Sequence, residues 1–75
     1  MTDPIRLDLK GLKCPLPALK TRKALAQAES GTRFHVSVTD QMAVIDIPHM
    51  LKETGDRLVG QSRNETVIEF MIEKA

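Results

Sequence analysis

IRLDLKGLKCPLPALK, residues 5–20, is the stretch that decides the fold of this chain. Ile5, Leu7 and Leu9 alternate with Arg6, Asp8 and Lys10, the period-two pattern of a strand with one buried face, and Gly11 ends it. A strand over 5–9 is expected. From Pro15 to Ser30 good helix formers dominate, with Gly31 placed as a C-terminal cap, so a helix follows directly. Phe34, Val36 and Val38 then alternate with His35, Ser37 and Thr39 in a second strand ending at Asp40. Strand, helix, strand implies a parallel pair with a right-handed crossover. Asp46 as N-cap places Pro48 in the first turn of a second helix over 47–55, preceded by a loose turn from Met42 to Ile45. Leu58 and Val59 begin a third strand. A polar turn over Ser62, Arg63, Asn64 and Glu65 leads into a fourth, residues 66–72, where Ile68, Phe70 and Ile72 alternate with Glu69 and Met71. The expected fold is α/β, an α+β two-layer sandwich of order βαβαββ, with a four-stranded mixed sheet and both helices on one face.

Seventy-five residues allow one domain, 1–75, and folding at that length buries only about 60–65% of the surface the unfolded chain exposes. Charge is 28% of the chain and nearly balanced, with a net of +1, and 41% of residues are hydrophobic; this is a globular composition, not a disordered one. One cysteine excludes an intramolecular disulfide scaffold and a multi-cysteine zinc site, and it fits a reducing, cytoplasmic setting with no cofactor or metal. The first ten residues lack the basic and apolar segments of a signal peptide, and the apolar runs are too short to span a membrane. Phe34 and Phe70 are the only aromatics and both read as buried, so no stacking platform for nucleic acid is visible and no direct base reading is expected.

Cys14 lies between a strand end and a helix start, flanked by Pro15 and Pro17. With Pro15 at the first helical position, Cys14 becomes the N-cap, and the helix dipole together with Lys10 and Lys13 is expected to favour its thiolate. The competing reading of Cys14 is a small hydrophobe in the core. Loops at the ends of parallel strands are where α/β folds place their chemistry, which favours display of the sulfur. Dithiol exchange needs a second cysteine, and hydrolase chemistry needs a base that spacing assigns to neither His35 nor His49. His35 reads as a solvated strand residue, while His49, at a helix start, has the better chance of lying near Cys14. What remains is a thiol that accepts a group and passes it on, and a persulfide suits a chain with no neighbouring thiol to discharge it.

Asp8, Gly11, Leu12, Cys14, Pro15, Pro17, Arg22 and Lys23, with Asp40, Asp46, Ile47 and Pro48 further on, resemble the pattern of the TusA/SirA-like sulfur-carrier family along nearly the whole chain. The resemblance implies a sulfurtransferase-type carrier with Cys14 as the persulfide-bearing residue, shaped by Pro15, Pro17, Gly11 and Asp8. It further implies a cysteine desulfurase or rhodanese-type donor and a downstream sulfur-acceptor protein, in tRNA thiolation, molybdenum-cofactor synthesis or sulfur oxidation. Leu16 stands where members acting in tRNA thiolation often carry an acidic residue, and Gln41 replaces the proline that commonly follows Asp40.

Between Asp8 and Glu29 all five charges are positive, namely Lys10, Lys13, Lys20, Arg22 and Lys23, so the remainder of a +1 chain carries −4. At about 100° per residue, Pro17, Thr21, Ala24, Leu25 and Ala28 share the face assigned to the sheet, leaving Leu16, Leu19, Lys20 and Lys23 opposite. Lys13, Leu16, Leu19, Lys20, Arg22 and Lys23 are therefore candidates for docking an acidic partner protein, against the plain alternative of a solvated helix face. Met42 and Met50 read first as core fillers. Two other function classes stay open: a redox-sensing regulatory or RNA-binding module using Cys14 and the basic helix, and a purely structural interaction domain.

Overall fold

The computed structural model describes residues 3–75; Met1 and Thr2, the first residues of the expected 1–75 domain and of the segment read for a signal peptide, lie outside the described residues. Six elements follow one another: β1 (Ile5–Asp8), α1 (Leu16–Ala26), β2 (Arg33–Val38), α2 (Ala43–Thr54), β3 (Arg57–Asn64) and β4 (Val67–Glu73). The sheet order is β1-β2-β4-β3. β1 runs parallel to β2, with Ile5 opposite Phe34 and Leu7 opposite Val36, and the other two pairs are antiparallel. The βαβαββ order and the four-stranded mixed sheet are as the sequence predicts.

Strand alternation builds the core. Phe34, Val36 and Val38 of β2 face the same side as Ile72, Phe70 and Ile68, their partners on β4, and all six are buried. Leu25 from α1 and Ile47, Met50 and Leu51 from α2 close the same apolar cluster. The intervening strand residues carry polar pairs instead, an Arg33–Glu73 salt bridge at 3.3 Å and His35 Nε2 at 3.0 Å from Glu69 Oε1. Each such partly exposed pair is worth at most about 1 kcal/mol, so the helix-covered face holds the fold. Among the described residues, no helix is long and apolar enough to cross a membrane.

Element boundaries differ from expectation for local reasons, β4 for instance running over Val67–Glu73 and not 66–72. β1 ends at Asp8, although Leu9 still donates its N–H to the Ser37 carbonyl at 2.8 Å. α1 stops at Ala26 because Gln27 and Ala28 tighten the last turn onto Ala24 and Leu25, and Gly31 spends its φ of +89° in the turn before β2. α2 begins at Ala43, not Ile47, since Asp40 accepts the Met42 N–H on its side chain and the Ala43 N–H on its carbonyl. Asp46 is thus a first-turn acid and not the N-cap, and Pro48 lies inside the helix. The polar stretch Ser62, Arg63 and Asn64 continues β3 because β4 pairs with it, leaving only Glu65 and Thr66 in the turn. Met42, expected in the core, is exposed, whereas Met50 is buried.

Candidate functional site

Parallel pairing of β1 with β2 brings the two loops that leave them to the same edge of the sheet. The first loop turns through Gly11 at φ +87°, a backbone region that favours glycine, and the Gly11 N–H donates to Thr39 Oγ1 at 2.9 Å across the gap. The Cys14 N–H then donates to Asp40 Oδ2, tying the cysteine to the start of α2. Asp40 thus holds both loops with one side chain.

Cys14 does not cap α1. Leu16 donates to the Lys13 carbonyl at 2.9 Å, making a turn before the helix, and the first helical bond runs from Leu19 to the Pro15 carbonyl. Pro15 occupies the N-cap position, Pro17 is the second residue of α1, and no side chain caps the helix. Pro17 is buried below the site, so the helix mouth is anchored by its sheet side while Cys14 stays exposed.

The exposed sulfur opens onto a cleft of about 250 Å³ between the helices. Ala18, Leu19 and Arg22 line it from α1, and Asp46, His49, Met50 and Glu53 from α2, with Cys14 and Pro15 at the end. The Cys14 thiol donates to Asp46 Oδ2 at 2.7 Å, and His49 Nε2 lies 3.1 Å from Glu53 Oε1. This bond to Asp46 raises the thiol above its ordinary pKa, aided by desolvation and by the negative fields of Asp46 and Asp40. The thiolate expected from the helix dipole and the nearby lysines is therefore not what the site favours. Two carboxylates act at close range, whereas Pro15 and Pro17 leave the helix start with few N–H donors.

The remaining sequence-derived residues divide among three places. Leu19 and Arg22 belong to the cleft; Leu16, Lys20 and Lys23 are exposed outside it. Gly11 and Lys13 line a second depression of about 380 Å³ with Leu12, Thr39, Asp40 and Gln41. Asp8 takes no part in the cleft; its Oδ1 accepts the Lys10 N–H at 3.2 Å and so shapes the turn after β1. The assignment of Pro17, Thr21 and Leu25 to the buried face of α1 holds, with Leu16 and Leu19 44% and 53% exposed on the other. Direct contact of Asp46 with the sulfur was not visible from spacing along the chain. The signal lay in topology: two parallel neighbouring strands must release their loops side by side.

The profile of the Sulfurtransferase TusA family matches residues 5–74. The chain belongs to the TusA family. Among relatives, the sulfur carrier protein TusA of Allochromatium vinosum is 38% identical over 69 residues, covering 92% of this chain and 91% of that one. A sulfur carrier protein TusA from Buchnera aphidicola is 29% identical over 68 residues, covering 91% and 86%. The crystal structure of a SirA-like protein from Desulfitobacterium hafniense is similar with a TM-score of 0.79 and 28% identity, over 92% of this chain and 95% of that one. The TusA-family match spans both loops of the site and both helices of the cleft.

Proposed function

We propose that this TusA-family chain is a sulfur carrier that holds sulfane sulfur as a persulfide on Cys14. The single supporting observation is an exposed, solitary thiol at the end of an open cleft between two helices, hydrogen-bonded but unpaired to any other sulfur. In the step, the Cys14 sulfur attacks the outer sulfur of a donor protein's persulfide, as a cysteine desulfurase or rhodanese-type enzyme carries. A new S–S bond forms at Cys14, the donor's own S–S bond breaks, and the donor leaves as a thiol with the proton Cys14 gave up. Thiol and persulfide exchange places, so no outside oxidant or reductant is needed. The reverse geometry, with an acceptor thiol attacking the outer sulfur on Cys14, discharges the carrier to a downstream protein. No second cysteine of this chain competes for the sulfur.

Incubation with a cysteine desulfurase and free cysteine, read by intact mass, tests the proposal. A gain of one sulfur atom, removed by thiol reductant and absent from Cys14→Ser, is expected. Failure of wild-type protein to gain sulfur from either a desulfurase or a rhodanese-type donor overturns it.

A further inference from the structure

Asp46 stands 2.7 Å from the reactive sulfur, and among the described residues no cation lies within salt-bridge distance of it or of Asp40. Arg22 lines the same cleft from α1 without pairing with Asp46; His49, on α2, pairs with Glu53; Lys13 faces the separate depression. The carboxylate accepts the thiol hydrogen bond, and among the described residues no side-chain cation pairs with it. A carboxylic acid is far more acidic than a thiol, so in the resting pair the proton stays on sulfur. Ionising Cys14 there would place two anions in contact.

We infer that Asp46 is a positioning residue that locks Cys14 in its proton-bearing, weakly nucleophilic form until a donor protein presents a cationic side chain to the cleft and neutralises the carboxylate. The proposal deepens the sulfur-carrier reading by giving the site a condition for reaction. A thiol this exposed, ionised at rest, would alkylate, oxidise to sulfenic acid or take sulfur from any small persulfide, since the thiolate is the reacting form. The 2.7 Å hydrogen bond removes that form without burying the sulfur, so the group stays reachable by a docked protein. When a partner's lysine or arginine pairs with Asp46, the hydrogen bond to sulfur weakens and the penalty on the thiolate falls. The thiol then loses its proton as it attacks, and the departing donor thiolate takes that proton up. Arg22, at the opposite wall, remains available to a carboxylate of the same partner. The partner this implies therefore carries a cation directed at α2 beside acidic groups directed at α1.

Asp46→Asn keeps the side chain's size and removes its charge. Circular dichroism and a melting curve establish that the variant is folded, and Asp46→Glu serves as the conservative rescue. Alkylation of the free protein by iodoacetamide is followed against pH, and sulfur loading is followed from glutathione persulfide and from a persulfide-charged cysteine desulfurase. The expected result is an Asp46→Asn alkylation profile displaced to lower pH. Several-fold faster alkylation and loading from glutathione persulfide near neutrality accompany it, with Asp46→Glu returned toward wild type and loading from the desulfurase accelerated less, because the variant also loses the pairing with the partner's cation. An alkylation profile that coincides with wild type, or moves to higher pH, overturns the lock. Equal acceleration with both sulfur donors overturns its release by a protein partner. If wild-type protein takes sulfur from neither donor, the carrier reading fails separately, and the alkylation profile alone still decides what Asp46 does to Cys14.

Discussion

Cys14 combines two properties that oppose each other in most reactive cysteines: it is exposed, and its environment favours the neutral thiol. An activated cysteine at a helix start gains from free N–H groups and nearby cations. In this chain the Cys14 N–H is itself spent on Asp40, the helix begins two residues later, and Asp46 accepts from the sulfur. The sign of the pH dependence follows. Because the hydrogen bond to Asp46 and the neighbouring carboxylates stabilise the protonated form, half-ionisation of the thiol is reached above the ordinary cysteine value of about 8.5. Titration of the thiolate by its ultraviolet absorbance, against Cys14→Ser as blank, is expected to give a midpoint above that value; a midpoint below it would mean that Asp46 does not keep the proton on sulfur.

At the scale of elements, α1 and α2 divide the cleft by charge as well as by space. α1 brings Arg22 and the exposed Leu19 to the cleft, with Leu16, Lys20 and Lys23 exposed beside it on the same helix, whereas α2 brings Asp46 and Glu53. Such a surface steers a partner of complementary pattern, an effect that salt weakens because the charges are in water. Lys20 and Lys23 are exposed and line no part of the cleft, so reversing both to Glu is expected to slow sulfur transfer from a docking protein donor several-fold while leaving the sulfur's own surroundings intact. The wild-type rate should fall with added salt while the variant's responds less. Rates that are equal and insensitive to salt would show that this face of α1 is only solvated.

On the scale of the whole molecule, stability rests on few side chains. A domain of this length has roughly 4–11 kcal/mol of folding free energy at the usual amount per residue. Phe70 is fully buried at the centre of the sheet, on β4 between β2 and β3. Phe70→Ala removes a large buried ring from a close-packed core, which costs about 3–5 kcal/mol. Urea denaturation is expected to show a sharply lowered midpoint or a chain already largely unfolded, and a loss under about 1 kcal/mol would contradict the packing described. Loss of sulfur loading in this variant would follow from unfolding, unlike the change at Lys20 and Lys23.

Periodicity carried the element order, the buried faces of β2, β4 and α1, and the solitary thiol between β1 and α1, because these depend on local alternation and on residue identity. The same local reading misplaced the start of α2, since an aspartate three residues earlier, Asp40, satisfies the helix's first N–H groups. It also read the polar residues 62–64 as a turn, because an edge strand such as β3 is held by pairing with its neighbour and needs no apolar face of its own. The protonation preference of Cys14 was out of reach of any local pattern. Thirty-two residues separate it from Asp46, and only the parallel pairing of β1 and β2, with α2 packed beside α1, brings carboxylate and sulfur into contact. Electrostatics at a site is set by what lies within a few ångströms, and for this chain that is a property of the tertiary structure.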